Sequence, residues 1–177
     1  MACDSSDVLP RGLGVVLPAR ILEIAMPIDR DPNHLYPAFR EKIEMILSEV
    51  EAYCVKHCPE YKPGIVEGFR TTKRQKELYA QGRTTKGKIV TNKNGTTNPS
   101  NHQSALAVDV AFKRSGAFRW DVPNDLWEYL GHCARAQGLT WGGDWKTLVD
   151  RPHIEWPTAD NATYTKAKDW KKSTGLT

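Results

Sequence analysis

The stretch Ala107-Val108-Asp109-Val110-Ala111-Phe112 decides the fold: its large apolar residues Val108, Val110 and Phe112 alternate with Ala107, Asp109 and Ala111. That is the period of a strand with one face in the core. The alternation sends Asp109 to the opposite face, where a carboxylate flanked by alanines is costly to hold unless something positive neutralises it. His102, in Ser100-Asn101-His102, lies where a loop enters this strand, within reach of the same cation. Farther on, Asp150-Arg151-Pro152-His153-Ile154-Glu155-Trp156 repeats the pattern, with Ile154 and Trp156 alternating with His153 and Glu155. A polar face there presents His153 for coordination. Asp150, set off by the turn-favouring Pro152, stands at that strand's entrance, outside the ligand set. Two imidazoles, one carboxylate ligand and a spare carboxylate three residues before the second imidazole are the parts of a hydrolytic zinc centre. Glu155 shares a strand face with His153 and is expected to orient an imidazole.

Outward from these motifs the chain reads as α+β. Over 37–57 the residues Phe39, Ile43, Ile46, Leu47, Val50 and Cys54 recur at helical spacing, so one face packs on the core, and Pro59 and Pro63 close the segment. Positions 65–69 read as a short strand. A second helix follows, in which Thr72 and Gln75 have capping-box spacing and Gly82, after Gln81, is a stop. Residues 82–100, polar and rich in Gly and Asn, predict a long loop of the kind that often carries function. A third helix is expected over 123–137, with Leu126, Leu130, Cys133 and Ala134 inward and Gly138 at its end. Its His132 reads as structural or exposed.

Composition narrows the classes. The chain has 177 residues, 40% of them hydrophobic, which suits one domain with a proper core. Met1 to Asp7 carries two acidic and no basic groups, and the apolar run 13–28 is interrupted by Arg20 and Glu23, so neither a secretory signal nor a membrane span is expected. A net charge of +4 favours an anionic partner such as a cell-wall polymer. No dense Lys/Arg stripe with interleaved aromatics appears, so nucleic acid is not expected as a partner. Lys166, Lys168, Lys171 and Lys172 read as a solvated tail. The cysteines Cys3, Cys54, Cys58 and Cys133 show no framework of spacing and read as reduced thiols. A monomer is expected.

The run Ser100-x-His102-x-x-Ala105-x-Ala107-x-Asp109, followed by Asp150-x-x-His153, resembles the zinc peptidases of the D-Ala-D-Ala carboxypeptidase and L-alanyl-D-glutamate endopeptidase family (peptidase M15), which cleave peptidoglycan stem peptides. Glu67-Gly68-Phe69-Arg70-Thr71, Gln75, Leu78-Tyr79-Ala80-Gln81-Gly82-Arg83-Thr84 and Trp141-Gly142-Gly143-Asp144-Trp145 are similar to its phage endolysin branch. The resemblance covers about 65–156. It implies a small antiparallel sheet carrying the zinc site, flanked by helices, in a catalytic domain at 35–157 between an N-terminal extension (1–34) and a C-terminal tail (158–177). His102, Asp109 and His153 match the ligands of one zinc ion, with a fourth position left open. Asp150 matches the catalytic acid/base, and Arg70 matches an arginine that contacts substrate, with Ser100 and Gln75 as supporting groups. The activity implied is hydrolysis of the L-alanyl-D-glutamate bond by a bacteriolytic endolysin, made in the host cytoplasm without a signal peptide and released to the wall at lysis. A D-Ala-D-Ala carboxypeptidase is the alternative within the same chemistry. A zinc-stabilised wall-binding module without turnover is the alternative from another class. One departure stands out: the family usually has glycine where this chain has Ala105, so the backbone before the strand must tolerate a Cβ.

Overall fold

A computed structural model describes residues 27–176. The expectations for Cys3 and for most of the extension at 1–34 lie outside the described residues. The chain forms an α+β fold in which helices flank a small antiparallel sheet. Helix α1 (Pro37–His57) starts on a proline, whose missing N–H is an orphan at a first turn anyway. It buries Phe39, Ile43, Ile46, Val50 and Cys54, the stripe expected from periodicity. Helix α3 (Asn124–Ala136) packs against it and buries Leu126, Trp127, Leu130, Cys133 and Ala134. Tyr53 and Tyr129 stack across this pair with centroids 4.0 Å apart. His132 is exposed, and Cys54 and Cys133 are free, buried thiols.

The sheet runs in the order β1-β2-β5-β4, made of β1 (Lys62–Glu67), β2 (Ala107–Arg114), β5 (His153–Glu155) and β4 (Thr140–Trp141). Strand β3 (Ala117–Arg119) folds back on the far end of β2. Strand β1 begins three residues before the expected 65–69 and takes in Pro63, which pairs with Phe112. An edge strand allows this, because one of its sides needs no ladder hydrogen bonds and a proline N can face outward. Between Ile65 and Glu67 the register shifts. Such an irregularity turns the following side chain, here Glu67, to a new direction.

Helix α2 (Thr72–Ala80) is capped by Thr71, whose Oγ1 accepts from the Arg74 N–H at 3.1 Å. The cap is therefore one residue earlier than the Thr72/Gln75 spacing suggested, and Gln75 is instead fully buried, pointing inward. The segment expected as a solvated tail contains helix α4 (Asn161–Thr174). Its Tyr164, Ala167 and Trp170 recur at helical spacing toward the domain: Ala167 is buried, the Tyr164 hydroxyl donates to Trp156 O, and Trp170 meets Tyr36 edge to face. Even Lys171 is partly sequestered, donating to Gln103 O at 2.9 Å. The lysines between these apolar residues had hidden the stripe. Among the described residues no helix is long and apolar enough to cross a membrane.

Candidate metal centre

The site is assembled by strand register. Asp109 of β2 sits opposite His153 of β5 on one side and opposite Glu67 of β1 on the other. Three neighbouring strands thus place three titratable groups in a row. His102 reaches them from a 3-10 turn, Asn101–Ser104, that precedes β2. The turn is held at its start by the Ser100 N–H donating to Gln103 Oε1, and at its end by Ala105 in a left-handed conformation. Gln103 also donates to Thr72 Oγ1 and to Gly95 O, which fastens the turn to the long loop.

Ligand-type atoms of His102, Asp109 and His153 lie within 4.8 Å of one another. Each of the three has its other polar atom already committed. His102 Nδ1 is 2.7 Å from Gly68 O; a carbonyl only accepts, so Nδ1 carries the hydrogen and Nε2 keeps its lone pair. Asp109 Oδ2 accepts from Arg70 Nη2 at 3.1 Å, which leaves Oδ1 free. His153 Nε2 is 2.9 Å from Glu155 Oε2, which turns Nδ1 toward Asp109. The free atoms converge: Asp109 Oδ1 is 3.4 Å from His102 Nε2 and 3.1 Å from His153 Nδ1. Two imidazole nitrogens and one carboxylate oxygen, each oriented from behind, form a donor set that can hold a divalent ion and leave a position open.

Electrostatics agree with a site built around positive charge. Burial works to raise the Asp109 carboxyl, yet the neighbouring His102 and His153 outweigh it and hold the group well below its ordinary range. Burial, reinforced by the Arg70 charge, lowers His102 and keeps it neutral, as a metal ligand must be. For His153 burial pulls downward, but hydrogen bonds to Asp109 and Glu155 prevail and raise it to about 9. The two ring nitrogens face one carboxylate each, Asp109 at Nδ1 and Glu155 at Nε2, which favours the protonated ring.

Arg70 is buried, and most of its donors are in use. Nε and Nη2 both reach Glu67 Oε2, at 3.1 and 2.6 Å, Nη2 also reaches Asp109, and Nη1 reaches Gln75 Oε1 at 2.9 Å. Its immediate effect is to hold Asp109; one Nη1 hydrogen remains unassigned by these bonds. Gln75 stands behind it and ties the loop down through Lys93 O at 2.7 Å. Glu67, which the sequence reading quoted only within a motif, is the anchor of this network, since it also pairs with Arg74 at 3.0 Å. Its spacing of three from Arg70 was the available signal.

Asp150 stands beside the triad without joining it. Burial, and then the negative charge of Asp109, push its carboxyl up to about 6, while His153 and Arg70 pull the other way. Its position depends on Gly142: the Asp150 N–H donates to Gly142 O, and a Cβ on Gly142 would clash with Asp150 O and lie 3.0 Å from His153 Cβ. The two tryptophans of the same motif part company. Trp141 is buried and donates to Arg151 O at 2.6 Å, whereas Trp145 lies against the His153 ring with centroids 5.0 Å apart.

Residues 94–156, which include His102, Asp109, Asp150, His153 and Glu155, match the family described as D-alanyl-D-alanine carboxypeptidase. The peptidoglycan L-alanyl-D-glutamate endopeptidase CwlK of Bacillus subtilis (strain 168) is 44% identical to this chain over 99 residues, 51% of this chain and 58% of that protein. The chain thus spans somewhat more than half the length of that relative. The crystal structure of the L-Ala D-Glu endopeptidase ChiX of Serratia marcescens superposes with a TM-score of 0.51 at 26% identity, covering 73% of this chain and 85% of that one.

Proposed function

We propose, from a chain whose site-bearing stretch 94–156 matches the D-alanyl-D-alanine carboxypeptidase family, that this protein is a zinc-dependent peptidoglycan peptidase hydrolysing the L-alanyl-D-glutamate bond of stem peptides. The observation that carries the reading is the convergence of His102 Nε2, Asp109 Oδ1 and His153 Nδ1, each turned inward because its partner atom is engaged elsewhere. The choice of bond follows the two relatives just named, both of which are L-alanyl-D-glutamate endopeptidases.

His102, Asp109 and His153 would hold one zinc ion, which when bound supplies Lewis-acid chemistry, acidifying water and polarising a carbonyl. Asp150 accepts the proton of the attacking water and passes it to the departing amine. Its raised affinity for a proton suits both halves of that task, because a carboxylate near its midpoint both takes and returns a proton. Glu155 keeps His153 in the tautomer that offers Nδ1. Arg70 holds Asp109, and its remaining Nη1 hydrogen is available to an oxygen that gains negative charge during attack. Ser100 and Gln75 act further back, on the turn that bears His102 and on Arg70. The enzyme works as a monomer on the bacterial wall. Residues 67–84 and 141–145 resemble phage endolysins, which supports a role in lysis of the host from within.

A D-Ala-D-Ala carboxypeptidase is the second reading, favoured by the description of the family that 94–156 matches. A wall-binding module that keeps its zinc but lacks turnover is less consistent with Asp150, since a structural metal site has no use for a spare base. Digestion of purified peptidoglycan followed by mass spectrometry separates all three. A new D-glutamate amine supports the endopeptidase, and free D-alanine supports the carboxypeptidase. No new termini from zinc-loaded protein would leave only the binding module.

A further inference from the structure

On the flank where Asp150 stands lies a cavity of about 350 Å3 lined by Trp120, Trp127, Val149, Asp150, Arg151 and Pro152. Trp127 is almost entirely buried, but Trp120 and Val149 are 57% and 58% exposed, and Leu148 beside them is exposed as well. Single exposed apolar groups are ordinary; several gathered around one cavity mark a contact surface. The cavity also contains one cation. Arg119 and Arg135 each hold an aspartate, whereas Arg151 is exposed and makes no ion pair among the described residues. Its backbone is anchored nonetheless, because Arg151 O accepts the Trp141 indole N–H.

We infer that this cavity receives the residue on the amine side of the scissile bond, and that Arg151 recognises a free carboxylate on that residue. The inference rests on the peptidase reading above. The side follows from the proton transfer: a group that protonates the departing amine must come within hydrogen-bond reach of that nitrogen. The segment leaving with the amine therefore passes Asp150 and enters the space that Asp150 shares with Arg151. In both bonds under consideration that segment is anionic. A D-glutamyl residue bears a free carboxylate in addition to the one that continues the chain, and a terminal D-alanine bears its own. A guanidinium pairs with such a group through parallel N–H bonds. It also offsets the repulsion that a substrate carboxylate would meet from Asp150 and Asp109. Trp120 and Val149 supply apolar surface for the methylenes.

Two peptides distinguish this directly: L-alanyl-D-glutamate and L-alanyl-D-isoglutamine, in which the free carboxylate is amidated, both extended identically through the side-chain carboxyl. The metal-loaded wild type is expected to show a KM about tenfold lower for the acid than for the amide. Arg151→Gln should raise KM for the acid about tenfold, leave kcat within about threefold, leave the amide unchanged, and so abolish the preference. Arg151→Lys should restore part of it. Because Trp141 is held by the Arg151 backbone and not by its side chain, the variants retain that bond, and their zinc content should match wild type. A wild type that cleaves both peptides equally, or an Arg151→Gln enzyme that keeps the preference, overturns the role of Arg151 while leaving the peptidase intact. Cleavage of neither peptide by wild type overturns the endopeptidase reading and this subsite with it.

Discussion

Asp109 and His153 face each other across the β2–β5 ladder, with His153 Nδ1 3.1 Å from Asp109 Oδ1 and His153 Nε2 2.9 Å from Glu155 Oε2 on its other side. One imidazole is thus clamped between two carboxylates. Both carboxylates favour the protonated ring, which is why His153 is raised to about 9 despite burial.

Metal and proton should therefore compete. At neutral pH the metal-free ring is charged, so zinc binding must release about one proton from it. Calorimetry in buffers of different ionisation enthalpy should detect that proton, and apparent affinity should fall about tenfold per pH unit below pH 9 until further ligands protonate. For stability the sign is the reverse in metal-free protein. The folded pKa of His153 lies above its ordinary value of 6.5, so its contribution is full below pH 6.5 and is lost as pH rises through about 9. Binding without proton release, or affinity independent of pH, would contradict the clamp.

Glu155→Ala removes one jaw. His153 Nε2 then lacks the partner that fixes the ring and its tautomer, and zinc affinity should drop roughly 10–100-fold, as measured against a competing chelator. Glu155→Gln, which can still accept a hydrogen bond through its amide oxygen, should lose less.

Asp150→Asn should keep its zinc and lose nearly all wall lysis. Wild-type activity should rise between pH 5 and 7 with an inflection near or below pH 6, since Asp150 is raised to about 6 and must be ionised to accept a proton. The same shift burdens the metal-free fold. A carboxyl whose folded pKa is raised contributes stability below its ordinary value of 3.8 and loses it as pH passes 6. Metal-free Asp150→Asn should accordingly melt a few degrees above wild type at pH 7. An inactive variant that has also lost its zinc would mean that Asp150 supports the metal and not the proton transfer.

Glu67 and Arg70 are buried partners, and removing one strands the other. Glu67→Ala should destabilise by about 3 kcal/mol, with a similar loss for Arg70→Ala, because each leaves an unpaired charge in the interior. The double variant should be less than additive in a thermal-melt cycle. Arg70→Ala should in addition weaken zinc binding, since Asp109 Oδ2 loses its donor.

The helices 37–57 and 123–137 and the strand at 107–112 were readable because burial on one face imposes a single period on each. Two members of the candidate triad were readable for a related reason: Asp109 and His153 break an apolar alternation. Glu67 was not, because a register shift in β1 sets its direction and leaves no alternation to read; its spacing of three from Arg70 was the one local trace. Helix α4 was missed for a compositional reason, its stripe of Tyr164, Ala167 and Trp170 being diluted by four lysines and an aspartate within 161–174. The pairing of Pro63 within β1 became intelligible only once β1 was known to be the edge.

Ala105 closes the turn that carries His102, with φ 59° and ψ 27°, a left-handed conformation that favours glycine. An L-residue in the left-handed region costs about 1–2 kcal/mol. Two terms offset that cost. The methyl group is fully buried, which contributes about 0.8 kcal/mol, and alanine lowers the entropy of the unfolded chain relative to glycine by about 0.4–1 kcal/mol. The sum is close to zero, and this is the physical reason the substitution is tolerated. Ala105→Gly should shift stability by no more than about 0.5 kcal/mol and leave zinc affinity unchanged. Ala105→Val should behave differently, because a β-branched residue in that conformation is strongly strained and the position is fully buried. A loss of about 3 kcal/mol is expected in a denaturant melt, together with weaker zinc binding as the His102 turn is displaced. A valine variant as stable as wild type would show that the turn can leave the left-handed conformation without disturbing the site.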